Sequence, residues 1–381
     1  MVNESRLVEQ FMDLVRVDSE TKHEEAISIV LKQLFIGQGL TVTEDEAKSK
    51  TGHGANNLFF TLEGTRGINR AVPAIFFTSH MDTVTPGNGI KPQLDSDGYI
   101  RSDGTTILGS DDKAGLAVML EAIKVMKEQG IEHGRVQFVI TVGEESGLLG
   151  ARAVDASKIE AKLGFALDSN GEVGDICVAA PTQAKIHVAI IGKSAHAGVN
   201  PEDGISAIQI ASKSISRMPL GRIDHETTAN IGRFSGGGAT NIVCERVDID
   251  AEARSLIQDK LDRQVDAMKR AFEETAEEYG GHVEFTSELI YPAYKYDEGA
   301  PVVQIASAAL RSIGKTPNLF HSGGGSDANV FNGLGIPTVN LAVGYEHIHT
   351  TKEQIPVQSM VDVTRAVIAI VQEVAKNEGS A

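Results

Sequence analysis

The sequence has few cysteines and lacks a long apolar run. Its 381 residues include two cysteines, Cys177 and Cys244, too few for a disulfide framework or a zinc finger. No apolar run approaches the length of a membrane span, and the opening stretch MVNESRLVEQF has neither the basic nor the continuous apolar region of an export signal. We therefore expect a cytoplasmic protein without a membrane partner.

Positive charge is also scarce. The chain has 35 Lys and Arg against 52 Asp and Glu, a formal net charge of -17. Binding to a phosphate backbone needs clustered Lys and Arg, so we expect no nucleic-acid partner. With 41% hydrophobic residues, the chain is long enough to form two or three domains with their own cores.

Hydrophobic periodicity predicts an α/β fold with a buried mixed sheet. Helical spacing of apolar residues covers 7–15, 27–35, 112–129, 302–313 and 360–376. Short apolar runs typical of strands are LTVTED, NLFFTLEG, AIFFTSH, RVQFVITV, LGFALD and TVNLAVG. These elements fall at the two ends of the chain, and we assign residues 1–180 and 295–381 to one discontinuous domain.

Residues 181–294 are predicted to form a separate, inserted domain. The strand KIHVAIIG is followed by the helix ISAIQIASKSIS, the strands TTANIGRF and RVDIDAEAR, a helix over 258–279 and the strand HVEFTSEL. This order, β-α-β-β-α-β, is the split βαβ arrangement of ferredoxin-like domains.

Polar residues that could do chemistry follow the apolar runs. His80 and Asp82 are two apart in SHMDTV, so an extended backbone points both to one side, as for a metal ligand and its partner. A hydrogen-bonded histidine at a strand end is an equally good interpretation. Asp111 in LGSDDKAG could bind metal or cap a helix, and Asp168 ends LGFALD.

Two further stretches add candidates. Glu144 and Glu145 follow the apolar run FVITV directly, where solvated loop charges are the ordinary alternative. His349 follows TVNLAVG in the loop YEHIHTTKE, in which Thr350 and Glu353 could form only a capping box. Open α/β sheets place their sites at the carboxyl ends of strands, and these residues share that location.

Taken together, the candidates suit a pair of zinc ions. Two imidazoles and three carboxylates are hard-to-borderline ligands, supplied by His80, Asp111, Glu145, Asp168 and His349. If Asp111 bridges the two ions, each has three protein ligands and a shared water can be acidified. Adjacent residues of an extended segment diverge, so Glu145 can reach a metal while Glu144 faces the water as general base.

These motifs resemble one enzyme family. SHMDTV, GSDDKAG, GEESG, ALDS and HTTKE, in this order, are similar to the dizinc exopeptidases and deacylases that include peptidase T, glutamate carboxypeptidases and aminoacylases. ILGSDDKAGLA and GYEHIHTTKEQIPV are most similar to the peptidase T branch. The resemblance implies two zinc ions, or Co²⁺ or Mn²⁺ in their place. His80 and Asp168 would hold one ion, Glu145 and His349 the other, with Asp111 bridging and Asp82 orienting His80.

The resemblance extends to the inserted domain, which in the family is a lid that pairs two subunits. GKSAHAGVNPEDGISAI is similar to the lid segment whose histidine, His196 here, reaches the partner's site and stabilises the oxyanion. Asn241 and Arg254 match positions that bind the substrate's terminal carboxylate. SGGGSDAN, with Gly324 and Gly325, matches the substrate loop. A homodimer is therefore expected.

The implied function is an exopeptidase for short peptides, most simply a tripeptide aminopeptidase. The glycine-rich loop has Ser322 and Gly323 where an arginine is expected, so deacylation of N-acyl amino acids and carboxypeptidase action stay open. A dimeric binding protein without catalysis is a different class, which Glu144 disfavours. A serine hydrolase using Ser326 is weaker still, because the sequence lacks the final glycine of a nucleophile elbow.

Overall fold

The computed structural model describes residues 1–65 and 72–376, which contain both helices and strands. The helices are α1 (Glu4–Val15), α2 (Glu25–Gly37), α3 (Ala47–Thr51), α4 (Ser110–Gln129), α5 (Leu149–Arg152), α6 (Ala207–Arg217), α7 (Gln258–Tyr279), α8 (Pro301–Ser312), α9 (Asp327–Gly333) and α10 (Val357–Lys376). The strands are β1 (Thr41–Glu44), β2 (Leu58–Leu62), β3 (Ile75–His80), β4 (Gln93–Leu94), β5 (Tyr99–Arg101), β6 (Val136–Thr141), β7 (Leu163–Ser169), β8 (Asp175–Ala180), β9 (Thr182–Ile191), β10 (Gly221–Arg222), β11 (Thr227–Gly236), β12 (Arg246–Ser255), β13 (His282–Tyr291), β14 (Tyr294–Lys295), β15 (Asn318–His321), β16 (Thr338–Ala342) and β17 (Gln354–Pro356). Every helix and strand predicted above from periodicity is present.

A mixed sheet forms the centre of the larger part of the chain. Its strands run in the order β1-β2-β6-β3-β7-β16-β8, and β15 pairs with β8. β3 is parallel to both β6 and β7, and β16 is parallel to β7, whereas β2 and β8 pair antiparallel with their neighbours β6 and β16. The predicted α/β fold with a mixed sheet is confirmed. The parallel strands bring their carboxyl ends to one edge.

Alternation along the strands explains how the sheet is covered on two faces. Successive strand residues point to opposite faces. Phe77 packs against Phe138 and Phe165, with ring centroids 6.0 and 5.7 Å apart, in the main core. Its neighbour Phe76 packs at 4.8 Å against Phe331 of α9, in a smaller core on the other face.

Helix α4 fills the core beneath the parallel strands. It packs on β3 and β7, and α1 and α10 pack on α4. Its first turn is irregular, because Asp111 and Asp112 have non-helical backbone angles although the helix begins at Ser110. The sequence predicts a start at about residue 112, and regular helical angles begin only after Asp112. Among the described helices, none has the length and apolar character needed to cross a membrane.

The strands β4, β5 and β17 form a small antiparallel sheet. Gln354 and Pro356 of β17 pair with Arg101 and Tyr99 of β5. The Tyr99 hydroxyl donates to Glu346 at 3.2 Å. The sheet thus holds both ends of the loop that follows β16.

The chain divides into two units. One comprises the described parts of Met1–Ala179, Tyr296–Ser322 and Ser326–Ala381, and the other comprises Ala180–Lys295 with Gly323–Gly325. The second unit differs from the predicted inserted domain by one residue at each end and by the added residues 323–325.

The second unit is an antiparallel sheet covered by two helices. Its strand order is β10-β11-β12-β9-β13, and its main elements follow the chain as β9-α6-β11-β12-α7-β13, the predicted β-α-β-β-α-β order. Ile186, Val188 and Ile249 of the sheet pack with Leu261 and Phe272 of α7 in a core of its own. The polar residues that alternate with them along β9 and β12 face away from the helices.

Candidate metal centre

Four of the predicted residues lie at the carboxyl ends of the parallel strands. His80 ends β3, Asp168 lies near the end of β7, and Glu144 and Glu145 form the turn after β6. Asp111 opens α4, which packs under β3 and β7. Because β3 is the neighbour of both β6 and β7, these side chains come together at one edge of the sheet.

His80, Asp111 and Asp168 form one group of possible metal ligands. The Nε2 atom of His80 lies 3.1 Å from Oδ1 of Asp111 and 3.8 Å from Oδ1 of Asp168. The histidine is almost fully buried, and both carboxylates are nearly so. One ligand atom of each residue lies within 4.8 Å of the others, which is the spacing of atoms around a single ion.

Asp111, Glu145 and His349 form a second such group. Nε2 of His349 is 3.2 Å from Oδ2 of Asp111 and 3.0 Å from Oε1 of Glu145. His349 has a left-handed backbone with φ of 62°, a conformation that is costly for a residue with a side chain. Asp111 belongs to both groups and offers one carboxylate oxygen to each, as a bridging ligand would.

Asp82 holds both sides of this cluster. It is fully buried, and its two carboxylate oxygens accept the backbone N–H groups of Glu144 at 3.0 Å and Glu145 at 3.3 Å. Nδ1 of His80 lies 2.9 Å from the backbone carbonyl of Asp82 and 3.5 Å from its carboxylate. The orientation of His80 therefore depends on the Asp82 carbonyl at least as much as on its side chain.

The electrostatics of the cluster favour bound cations. Burial raises the pKa of Glu144 and of Asp168 well above the ordinary carboxyl range, and neighbouring carboxylates raise both further. Hydrogen bonds with Asp111 and Glu145 raise the pKa of His349 to about 10. The imidazoles are thus drawn towards the charged form by a surplus of carboxylates. A cluster of imidazole nitrogens and carboxylate oxygens with this excess of negative charge fits a pair of divalent ions.

Several buried residues of the centre were missed by the sequence analysis. The Tyr345 hydroxyl donates to Oδ1 of Asp168 at 3.3 Å. The Asn340 side chain accepts the Asp168 backbone N–H at 3.0 Å and donates to its carbonyl at 2.6 Å, which fixes the end of β7. Asp327 accepts from Thr141, and burial raises the pKa of Asp327 to about 6. The only sequence signal for these residues is their position beside the motifs.

Ser326 is hydrogen-bonded at the start of α9. Its backbone N–H donates to Oδ1 of Asn329 in a capping box at the start of α9, and its hydroxyl accepts from Asn340 at 3.1 Å. These contacts give Ser326 a structural role at the start of α9.

The remaining predicted residues lie in the second unit. His196 is exposed and pairs through an isolated bridge with Ile242, and its Nδ1 accepts the Gly198 N–H at 3.1 Å. Ala197 donates its N–H to the carbonyl of Asn241 at 2.9 Å. The structure therefore brings His196 and Asn241 onto neighbouring loops.

Arg254 and the glycine-rich loop are also together in that unit. Arg254 is held by Glu252, with Nε 2.9 Å and Nη2 3.1 Å from the two carboxylate oxygens, and its Nη1 lies 3.5 Å from the carbonyl of Gly323. A Cβ atom on Gly325 would lie 2.3 Å from the ring of Tyr291, so only glycine fits at this position.

Comparison with known proteins identifies the family of the chain. Residues 76–373 match the family model described as Peptidase family M20/M25/M40. The chain belongs to this family. The family resemblance inferred from the motifs is confirmed, and so is the predicted class of enzyme, a peptidase.

Two solved structures and one further protein match nearly the entire chain. The aminopeptidase PepT of Bacillus cereus ATCC 10987 is 60% identical, with a TM-score of 0.91 over 98% of this chain and 99% of that one. A tripeptidase of Staphylococcus aureus subsp. aureus Mu50 is 50% identical, with a TM-score of 0.95 over 99% and 100% of the two chains. The uncharacterized protein YqjE of Bacillus subtilis (strain 168) is 61% identical over 99% of this chain and all of its own.

Proposed function

We propose that this M20 peptidase is a two-metal aminopeptidase that removes the N-terminal residue of tripeptides. The observation that carries the proposal is the pair of ligand groups that share Asp111, with Glu144 beside them. The similarity to an aminopeptidase and a tripeptidase at 60% and 50% identity supports the substrate class. The cytoplasmic location stays a prediction.

His80, Asp111 and Asp168 would hold one ion, and Asp111, Glu145 and His349 the other. We assign zinc because two imidazoles and three carboxylates suit it, with Co²⁺ or Mn²⁺ as substitutes. When bound, such ions supply Lewis acidity that polarises the scissile carbonyl and makes water easier to deprotonate.

Glu144 moves the proton in this proposal. Its carboxylate takes a proton from the attacking water and delivers it to the amine that leaves when the peptide bond breaks. The backbone of Glu144 is fixed by its hydrogen bond to the buried Asp82, so the side chain has a defined starting point. Glu145 has its Oε1 atom against His349 and is not available for this task.

The second unit supplies substrate contacts. Arg254, Asn241 and the loop with Gly324 and Gly325 would bind the terminal carboxylate of the peptide. Glu252 occupies the Nε and Nη2 edge of Arg254, so a ligand would approach the guanidinium from its Nη1 side, where the carbonyl of Gly323 lies at 3.5 Å. A guanidinium held in one orientation suits a carboxylate because less rotamer freedom is lost on binding.

The open edge of the second unit supports a homodimer. β10 pairs only with Thr228 and Ala229 of β11, so the outer edge of residues 230–236 has no strand partner within the described chain. Phe234 on this edge and Ile208 on α6 are 43% and 39% exposed. An unpaired strand edge with apolar neighbours is a template for pairing with a second copy. We assign this unit as the dimerisation and lid domain.

The proposal is tested by one tripeptide in three forms: free, N-acetylated and C-amidated. The zinc-reconstituted protein should cleave the free form, lose activity on the acetylated form and cleave the amidated form with a raised KM. Acetylation removes the free amine that an aminopeptidase requires. Amidation removes the terminal carboxylate that Arg254 would bind. Product analysis by mass spectrometry identifies the bond that is cut.

Other results would redirect the assignment. Release of the acyl group from the acetylated peptide would indicate a deacylase, and release of the C-terminal residue would indicate a carboxypeptidase. Either outcome contradicts the aminopeptidase assignment and leaves the metal ligands unchanged.

His196 is expected to serve the site of the partner subunit. His196→Ala and Glu144→Ala should each be inactive, and mixing them with subunit exchange should restore activity to roughly a quarter of the sites through hybrid dimers. Exchange is verified by native mass spectrometry of the same mixture. Absence of recovery in exchanged dimers would contradict a site completed across the interface.

A further inference from the structure

Glu353 is a buried glutamate whose side chain accepts four hydrogen bonds. Only 2% of its surface is exposed. Its Oε2 accepts the backbone N–H groups of Leu108 and Gly109, each at 2.8 Å. Its Oε1 accepts the hydroxyl of Ser110 at 2.6 Å and the N–H of Asp111 at 3.0 Å. One carboxylate therefore holds four consecutive residues that end at a proposed metal ligand.

The segment that Glu353 holds cannot satisfy these donors by itself. N–H groups in the first turn of a helix have no acceptor within the helix. Here the turn is also irregular, with φ of 75° at Gly109 and non-helical angles at Asp111 and Asp112. Buried N–H groups without an acceptor are costly, so the path of this segment depends on the Glu353 carboxylate.

Glu353 is equally well tied to the loop that carries His349. Glu346 and Gln354 close this loop at its base, with backbone hydrogen bonds of 2.8 and 3.1 Å between them. The backbone N–H of Glu353 donates to the carbonyl of Thr350 at 3.1 Å. The capping-box interpretation of Thr350 and Glu353 is wrong, because the Glu353 side chain reaches residues 108–111 instead.

We propose that Glu353 is a positioning residue that couples Asp111 to His349 and thereby sets the affinity of the metal subsite formed by Asp111, Glu145 and His349. The inference rests on the two-metal function proposed above. Asp111, whose backbone N–H Glu353 accepts, and His349, which lies in the same loop as Glu353, both belong to this subsite. The other subsite, with His80 and Asp168, shares only Asp111 and should depend on Glu353 less.

Glu121 provides a matched control for a purely structural role. It lies on α4, is also 2% exposed, and accepts the Asn3 N–H at 2.8 Å and Nε of Arg6 at 2.6 Å. Glu121→Gln therefore disturbs a buried, hydrogen-bonded glutamate of the same helix that carries Asp111. It has no contact with the two groups of metal ligands.

The test measures zinc binding to metal-free wild type, Glu353→Gln and Glu121→Gln by competition with a chromophoric chelator. In Glu353→Gln the side-chain NH2 group faces at least one backbone N–H donor in either orientation of the amide. We expect one zinc equivalent to bind about 10- to 100-fold less tightly than in wild type, as is typical when a residue that orients a ligand is changed. The other equivalent should stay close to its wild-type affinity. Glu121→Gln should lower Tm without changing either affinity.

Three outcomes would overturn the inference. Wild-type affinity for both equivalents in Glu353→Gln would show that the carboxylate only stabilises the fold. Equal weakening of both equivalents would show that it does not act on one subsite. A wild-type protein that binds fewer than two ions would overturn the proposed metal centre as well, and this distinguishes the two failures.

Ser110→Ala is the variant to measure if Glu353→Gln does not fold. It removes only the hydroxyl donor to Glu353 and leaves three backbone donors in place. One zinc equivalent should then bind less tightly, by a smaller factor than expected for Glu353→Gln. Unchanged affinity in a folded Ser110→Ala protein would contradict the coupling.

Discussion

Glu144→Gln is expected to bind two zinc ions per chain and to hydrolyse a free tripeptide about a hundredfold or more slowly than wild type. The glutamine amide has nearly the size of the carboxylate but cannot accept the proton of the attacking water. The backbone hydrogen bond from residue 144 to Asp82 is retained, so the turn after β6 keeps its path. A hundredfold loss corresponds to roughly 3 kcal/mol of transition-state stabilisation.

The measurement is kcat together with the zinc content of the same sample. Glu172→Gln is a suitable control, because Glu172 is an exposed glutamate in the loop after β7 and takes no part in the metal centre. It should retain wild-type kcat. A Glu144→Gln protein with two zinc ions and wild-type kcat would remove Glu144 from the mechanism.

Asp111→Ala is expected to lose both ions and to reduce kcat/KM on the order of a thousandfold or more, since metal-ion stabilisation of the transition state amounts to several kcal/mol. The reason is geometric, because Asp111 has one oxygen near His80 and the other near His349. His349→Ala affects only the second group and should retain one tightly bound ion.

Metal content after dialysis against trace zinc distinguishes these variants. His347→Ala is the control for His349→Ala, because it lies in the same loop, is exposed and also has a left-handed backbone, with φ of 56°. It should retain two ions. An Asp111→Ala protein that also retains two ions would show that Asp111 does not bridge them.

The parts of the centre that sequence predicts best are those set by local pattern. AIFFTSH and RVQFVITV have the composition of buried parallel strands, and both are fully buried as β3 and β6. Residues that follow such strands meet at one edge of the sheet, so His80, Glu144 and Glu145 were predictable as neighbours. Asp168 was predictable for the same reason.

What the sequence does not predict depends on long-range contacts. β8, β15 and β17 gave no separate signal, because their partners lie far along the chain. β4 and β5 pair with each other locally, but they are only two and three residues long and so carry no clear pattern. Gly323–Gly325 associate with the second unit although residues on both sides belong to the first.

Glu353 illustrates the same limit within the centre. Its nearest pattern in sequence suggests a local cap with Thr350, whereas its hydrogen-bond partners lie more than two hundred residues earlier. Asn340 likewise fixes the backbone of Asp168 across two adjacent strands. Neither role follows from residue type or spacing, because each partner is brought close only by the folded sheet.

The most direct test of a two-metal aminopeptidase is to follow hydrolysis of a free tripeptide while metal-free wild-type protein is titrated with zinc. We expect negligible hydrolysis before zinc is added and a rise that saturates at two equivalents per chain. Full hydrolysis by the metal-free protein, or saturation at one equivalent, would contradict a centre in which Asp111 joins two metal subsites.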